Sequence, residues 1–286
     1  MENMLRLVTG RIGCGKTARI YEEIRKITEQ GGEVTLIVPE QYSFHTEKKM
    51  LEMLGARGAD RVNVVSFSFL AKNLLKKYGL NSEKSLDDST RAMLMSVALD
   101  EAGDNLQVYS RHRYSPAVIL QMLKTLKDFR QCSVTSDKIE ETLTKLKPSL
   151  LKDKLGEILL IDRTYTALVE QNYFDDDCAL DILCDVLDEH RDFDGAEVFV
   201  DGFRGFTAQE YAVLERIMRQ SAETWVTLCV DKADDEFGVF AHTFRTKRKL
   251  IRCAQKSGTD IAKPEFLTRD GSIDPELNAL EKGLYS

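Results

Sequence analysis

The sequence predicts an α/β fold in which a parallel sheet, covered on both faces, is interrupted by a helical insertion. Three observations predict it. Short, nearly unbroken apolar runs alternate with helix-patterned segments at the start of the chain, as expected of parallel strands buried on both faces. A stretch of about 120 residues follows in which helical spacing dominates. Apolar, strand-like runs then return.

Taken in order, Leu5-Arg6-Leu7-Val8-Thr9 reads as a buried strand and Ala18 to Gln30 as a helix, closed by Gly31-Gly32, since glycine tolerates the backbone that ends a helix. Residues 33 to 38 give a second strand that stops at Pro39, which completes a β-α-β unit. A helix from Ser43 to Leu54, a turn at Arg57-Gly58-Ala59-Asp60 and a third strand from Val62 to Phe67 follow. Between Ser68 and Glu189 the spacing predicts helices over 69–77, 89–102, 116–130, 136–146, 152–169 and 177–188. Ile119, Leu120, Leu123, Leu126 and Phe129 form a core stripe on one of them. Strand character resumes over 197–201, with a helix over 207–219 and another strand over 225–231. The expected division is residues 1–77 and 190–269 as the α/β domain, 78–189 as the insertion, and 270–286 as a polar tail or linker with a helix signal at Pro275 to Lys282.

Bulk properties narrow the function classes. A composition 43% apolar and 30% charged is that of a soluble globular chain with a sizeable core. No run approaches the roughly 20 apolar residues that cross a bilayer, and Met1-Glu2-Asn3-Met4 leads straight into the first strand. A cytoplasmic protein without membrane contact is expected. Six cysteines stand scattered without a C-x-x-C pair, which favours reduced thiols over a structural zinc site. The net charge of −7 excludes broad attraction of the whole chain to nucleic acid. Two local basic clusters, Arg111-His112-Arg113-Tyr114 and Thr246-Lys247-Arg248-Lys249, read either as solvated surface or as phosphate contacts.

Gly10-Arg11-Ile12-Gly13-Cys14-Gly15-Lys16-Thr17 fits the phosphate-binding pattern G-x-x-x-x-G-K-[ST], and its flanks supply the strand before and the helix after. Backbone N–H groups and the positive end of a helix bind phosphates, so glycines are needed for close approach. Lys16 places an ammonium on the outer phosphates and the Thr17 hydroxyl is a ligand for Mg²⁺. These eight residues are the candidate site for ATP with Mg²⁺; the alternative is a glycine-rich turn. Cys14 reads as a small loop filler or as a thiol acidified by the helix end.

Hydrolysis needs a second strand end with a metal-holding aspartate and an adjacent carboxylate to activate water. Phe199-Val200-Asp201-Gly202 is the candidate, with Asp201 joining Thr17 at the metal. Asp-Gly is also a common turn dipeptide, and Asp231 ends a similar strand and competes for the role. Gly202 carries no base, so impaired hydrolysis is expected. Glu210 and Glu215, on the next helix, replace it only if the backbone folds back.

With the phosphate loop in place, three more runs carry a resemblance. They are Leu36-Ile37-Val38-Pro39-Glu40-Gln41-Tyr42-Ser43-Phe44, Val64-Val65-Ser66-Phe67-Ser68-Phe69-Leu70-Ala71 and Phe199-Val200-Asp201-Gly202-Phe203-Arg204-Gly205-Phe206-Thr207. In this order the chain resembles the N-terminal region of the AddB/RexB family, one of the two components of the bacterial ATP-dependent helicase/nuclease AddAB. The resemblance implies a RecA-like P-loop NTPase fold of the superfamily 1 helicase type whose motor has decayed. Asp201-Gly202-Phe203-Arg204 stands where active relatives have Asp-Glu-x-Gln, and Val230-Asp231-Lys232-Ala233-Asp234 where they have Gly-Asp-x-x-Gln.

Further implications concern partners. Loops after the second and third strands would touch single-stranded DNA, which makes Gln41, Tyr42, Phe44, Ser66, Phe67 and Phe69 candidates, although the phenylalanines read more readily as core anchors. A heterodimer with the AddA-like component of the helicase/nuclease is implied, acting on DNA, single-stranded or at double-strand ends, in break repair and recombination with recognition of a regulatory sequence. The nuclease (exonuclease) domain and iron-sulfur cluster of such a protein are not recognisable in these residues, so the chain reads as roughly the N-terminal quarter of a longer one. The expected function is a nucleotide-binding, DNA-binding and partner-binding scaffold that hydrolyses ATP poorly. A working P-loop ATPase or small-molecule kinase is the alternative, and a vestigial loop in a purely structural module the third reading.

Overall fold

Seven strands form one sheet in the order β3-β2-β4-β5-β1-β6, with β7 also paired to β1, and every pairing is parallel. The computed structural model describes residues 3–80, 86–170, 173–231 and 238–268. The strands are β1 (Met4–Gly10), β2 (Val34–Ile37), β3 (Val62–Val65), β4 (Glu197–Val200), β5 (Glu223–Cys229), β6 (Asp260–Ile261) and β7 (Glu265–Leu267). The helices are α1 (Lys16–Glu29), α2 (Ser43–Ala59), α3 (Phe67–Lys77), α4 (Asp88–Glu101), α5 (Pro116–Gln131), α6 (Ser136–Lys145), α7 (Leu150–Glu170), α8 (Ala179–Glu189), α9 (Ala208–Gln220) and α10 (Ala241–Ser257).

The chain divides into two compact units. One holds the described residues of Met1–Ala71, Leu183–Phe206 and Glu210–Ser286; the other holds those of Lys72–Ile182 and Thr207–Gln209.

In the first unit the strands are apolar because both faces are covered. On one face Val8, Leu36, Val64 and Phe199 pack with Ile20 and Ile24 of α1 and Met50 of α2. Trp225 on β5 sits beside Phe199 in register and stacks on it at 5.8 Å. The guanidinium groups of Arg6 and Arg19 each lie 5.2 Å from the Trp225 ring, where the face of the π system attracts a cation. In parallel strands all carboxyl ends share one edge, and that edge is where α/β folds gather their ligand-binding loops.

The second unit is helical. Met95 and Leu99 of α4, Met122 and Leu126 of α5, and Ile161, Tyr165 and Val169 of α7 form its core. Its buried charges are matched: the Asp175 carboxylate accepts from Arg91 at 2.6 Å and from Arg130 at 2.5 Å. Buried Glu157 accepts the backbone N–H groups of Gln107, Val108 and Tyr109 at 2.7, 2.8 and 3.0 Å, which holds a turn with no ladder of its own.

Four local differences from the sequence expectation have physical causes. Residues 57–60 are not a free turn but one more helical turn beyond a kink at Gly55, whose φ is 67°. β3 stops at Val65 and Phe67 opens α3. On α5, Leu120 is exposed and Met122 takes its place inside, because positions 119, 122, 123 and 126 share a helical face that 120 does not. Neither α10 nor β6 and β7 was legible. The inward side of α10 includes Thr243 and Thr246, which break its apolar period, and β6 and β7 are only two and three residues long. The expected tail helix at 275–282 lies outside the described residues. Among the described residues no helix is long and apolar enough to cross a membrane.

Candidate nucleotide site

The site grows from the carboxyl edge of three neighbouring strands. β1 runs out at Gly10, paired with Cys229 at the end of β5, and β4, the next strand over, ends at Val200. The loop 10–15, Asp201 and Asp231 are therefore delivered to one edge. Inside the loop Gly13 and Gly15 have φ of 77° and 87°, conformations that L side chains rarely adopt. Gly10 is fixed by packing, since a Cβ there would collide with the Leu267 carbonyl of β7 and with the Cys14 sulfur. Gly15 is the N-cap of α1, and no side chain caps the helix, which leaves its leading N–H groups directed out of the helix end.

Lys16 curls back on the loop: its Nζ donates to the carbonyls of Gly10 at 2.9 Å and Arg11 at 2.8 Å, and lies 3.7 Å from the Cys14 sulfur. Thr17 and Asp201 are brought together. The Thr17 hydroxyl donates to Asp201 Oδ2 at 2.9 Å, and the other carboxylate oxygen accepts from the Thr227 hydroxyl. Asp201 is buried, and its own N–H bonds to the Ile37 carbonyl at 3.0 Å. A carboxylate so fully engaged is held in one orientation, facing a helix terminus and a hydroxyl, as a metal-holding aspartate must be.

The next position differs. Gly202 has φ of 83°, and a Cβ there would lie 3.4 Å from Pro39 Cδ and 3.8 Å from Tyr42 Cδ2. A cavity of about 410 Å³ opens beside the pair, lined by Thr17, Asp201, Gly202, Tyr21 and Tyr42 among others. Burial and the nearby Asp201 charge raise the Tyr21 phenol above its usual range. Glu52 also lines the cavity, and its carboxylate lies 3.9 Å from Lys48 Nζ.

Asp231, the competing candidate for the metal, is held by the loop itself. Its carboxylate is taken by Arg11 of the loop, whose Nε donates at 3.2 Å. Glu215 faces Lys256 at 4.0 Å. Two contributors, the Arg11–Asp231 pair and Thr227, escaped sequence reasoning. Their signal is sheet order: only when β5 is known to lie between β1 and β4 do these residues flank the loop and Asp201.

The DNA candidates separate by exposure. Gln41 and Tyr42 are exposed in the 3-10 turn after β2. Ser66 and Phe67 are buried. The Ser66 hydroxyl accepts the Phe69 N–H at 3.2 Å, and Phe67 packs edge-on against Phe203 at 5.5 Å and Phe206 at 6.2 Å. Neither presents a free face to a base, because both are spent on closing the start of α3. The core-anchor reading holds for Phe67 but not for Phe44 and Phe69, which are 80% and 51% exposed.

Comparisons with known proteins cover the same stretch. The family model described as ADDB, N-terminal, matches residues 7–281. The B-type subunit of the ATP-dependent helicase/deoxyribonuclease of Clostridium acetobutylicum is 30% identical over 290 residues, 99% of this chain and 25% of that protein. Its namesake in Thermoanaerobacter pseudethanolicus is 30% identical over 291 residues, again 99% of this chain and 25% of its own length. That of Clostridium botulinum strain Hall is 28% identical over 293 residues, with 99% and 26% covered. The chain thus spans about a quarter of the length of the relatives it matches.

Proposed function

This chain belongs to the AddB N-terminal family, and from that premise we propose that it is a nucleotide-binding, helicase-like module that holds ATP with Mg²⁺ but hydrolyses it poorly. It serves a helicase/nuclease as a DNA-binding and partner-binding scaffold in the processing of double-strand breaks. The observation that carries the reading is the Thr17–Asp201 hydrogen bond of 2.9 Å beside a glycine at position 202.

The donor set fits the group. The loop from Gly10 to Gly15 leads into the uncapped N-terminus of α1, Lys16 supplies an ammonium, and Thr17 with Asp201 a hydroxyl and a carboxylate for Mg²⁺. The metal supplies charge neutralisation on the phosphates when bound. What this chain's own residues do is bind and orient. Lys16, satisfied by the Gly10 and Arg11 carbonyls, trades those bonds for phosphate oxygens. Arg11, tied to Asp231, keeps the loop's first half anchored to β5.

Activation of a water is the missing operation. Gly202 has no proton acceptor, and its φ of 83° is a backbone that a glutamate adopts only under strain. Asp231 is engaged by Arg11 and Glu215 by Lys256, and Glu52, which lines the cavity from α2, faces Lys48. The scaffold part of the proposal rests on the relatives' names, which describe one subunit of a helicase/deoxyribonuclease, and on exposed Gln41, Tyr42, Phe44 and Phe69 near the same edge.

Equilibrium binding of ATP with and without Mg²⁺ tests the nucleotide reading. Wild type should bind, Mg²⁺ should strengthen binding, and Lys16→Ala should weaken it about 10- to 100-fold, the worth of a charge-assisted contact. Equal affinity in wild type and Lys16→Ala would leave the loop vestigial.

A further inference from the structure

We propose that the solvent face of α10 is a docking surface for the phosphate backbone of DNA. This rests on the DNA-binding reading above and gives it a location that neither the loop motifs nor the family match assigns.

Arg245, Arg248, Lys249, Arg252 and Lys256 are all exposed. They recur at i, i+3, i+4, i+7 and i+11, so one side of the helix carries five cations. The opposite side is pinned, because Thr243, Thr246, Leu250, Cys253 and Ala254 are buried. The helix contains no acidic residue, and three like-charge pairs, 245/249, 248/252 and 252/256, stand at the i,i+4 spacing that destabilises a helix. At the far end of the stripe Glu215 of α9 reaches Lys256 at 4.0 Å, and midway Lys249 lies over the Tyr211 ring at 5.2 Å. Arg245 and Arg252 form no ion pair with any described residue. The other basic cluster is different: Tyr114, which accepts from Arg113 at 3.0 Å, donates to Asp100 at 2.6 Å, and Asp100 also faces Arg113 at 3.7 Å.

In a chain of net charge −7, a one-sided stripe in which Arg245 and Arg252 meet no described acid has cationic charge to offer an anionic partner. Two features choose nucleic acid over an acidic protein. No large apolar side chain is exposed along α10, so the surface lacks the buried anchor on which protein interfaces rely. Residues 245 to 256 span about 16 Å of helix, a length along which one DNA strand presents about five phosphates. Three of the five cations are arginines, whose fork matches a phosphate in two-point contact.

The stripe also begins near the nucleotide site. The Thr246 hydroxyl lies 3.4 Å from the Arg204 carbonyl, and a Cβ on Gly205 would touch the His242 ring, so the first turns of α10 rest on the loop that follows Asp201 and Gly202.

Fluorescence anisotropy of the full chain with a labelled 20-base-pair duplex of arbitrary sequence, over a salt series, tests the proposal. The triple variant Arg245→Gln/Arg248→Gln/Arg252→Gln should bind at least tenfold more weakly than wild type, with the slope of log affinity against log salt shallower by about 3. The corresponding Arg→Lys triple should keep the wild-type slope, and ATP affinity in each variant reports that the sheet edge is intact. Unchanged affinity and slope in the Gln triple, with wild type binding the duplex, would overturn the α10 surface and leave DNA binding to another face. No duplex binding by wild type would remove both readings. Polyglutamate displacing the duplex as well as unlabelled DNA does would also overturn the proposal, in favour of an acidic protein partner.

Discussion

In the proposed reading the phosphate loop and the end of β4 are two halves of one site, and they differ in what they offer. The loop retains glycine where the backbone turns with positive φ, at Gly13 and Gly15; glycine at position 10, where Cys14 and β7 leave no room; and Lys16 and Thr17 at the start of α1. The β4 end retains Asp201, with both carboxylate oxygens engaged by hydroxyls, and then offers a bare glycine. Holding a triphosphate and cleaving it use different atoms, so on that reading a fold can supply the first capacity without the second.

The largest effect is expected at the intact half. Gly10→Ala places a methyl against the Leu267 carbonyl and the Cys14 sulfur, and should cost about 3 kcal/mol of stability in denaturant unfolding, at the upper end of overpacking. A cost near zero would mean that β7 does not clamp the loop. The second test falls on the residue the two halves share. Asp201→Asn keeps the shape but removes the charge, and should lower Mg²⁺-dependent ATP affinity about tenfold while leaving Mg²⁺-free affinity nearly unchanged. Equal losses in both conditions would make Asp201 a structural hydroxyl acceptor only.

The third and smallest separates function from stability on a single strand, because Glu197 opens the strand that Asp201 follows. Burial, then the charge of Glu223, pushes the Glu197 carboxyl up to about 7, with Arg6 opposing. A folded-state pKa above the unfolded one gives stability that is complete in acid and lost as pH rises through about 7. Glu197→Gln should therefore stabilise the protein by about 1 kcal/mol at pH 8, after allowance for its partly exposed position, with the gain fading below about pH 5. ATP affinity should not move. A change in affinity would show that the two ends of β4 are coupled.

Much of this was legible in the sequence where local pattern and global fold agree. The apolar runs that became β1 to β5 are mostly buried, and the loop sits between the strand and helix its pattern requires. Pairings that depend on strand order were not legible: Thr227 reads as one polar residue in an apolar strand until β5 is placed next to β4. Exposure was also hidden. Phe67 and Phe69 look alike in sequence, yet their two-residue offset on α3 sends the first into an aromatic cluster and the second into solvent. α10 escaped because two of its inward residues are threonines and its outward ones are charged, which leaves little hydrophobic contrast for a periodicity to register.

The most direct test of the site's division is phosphate release from the wild-type chain under saturating ATP and Mg²⁺, with nucleotide occupancy read on the same sample. The account predicts an occupied site and a release rate at least about a hundredfold below the ~1 s⁻¹ floor of ordinary enzymes. Release at about 1 s⁻¹ or faster, abolished by Lys16→Ala, would contradict it.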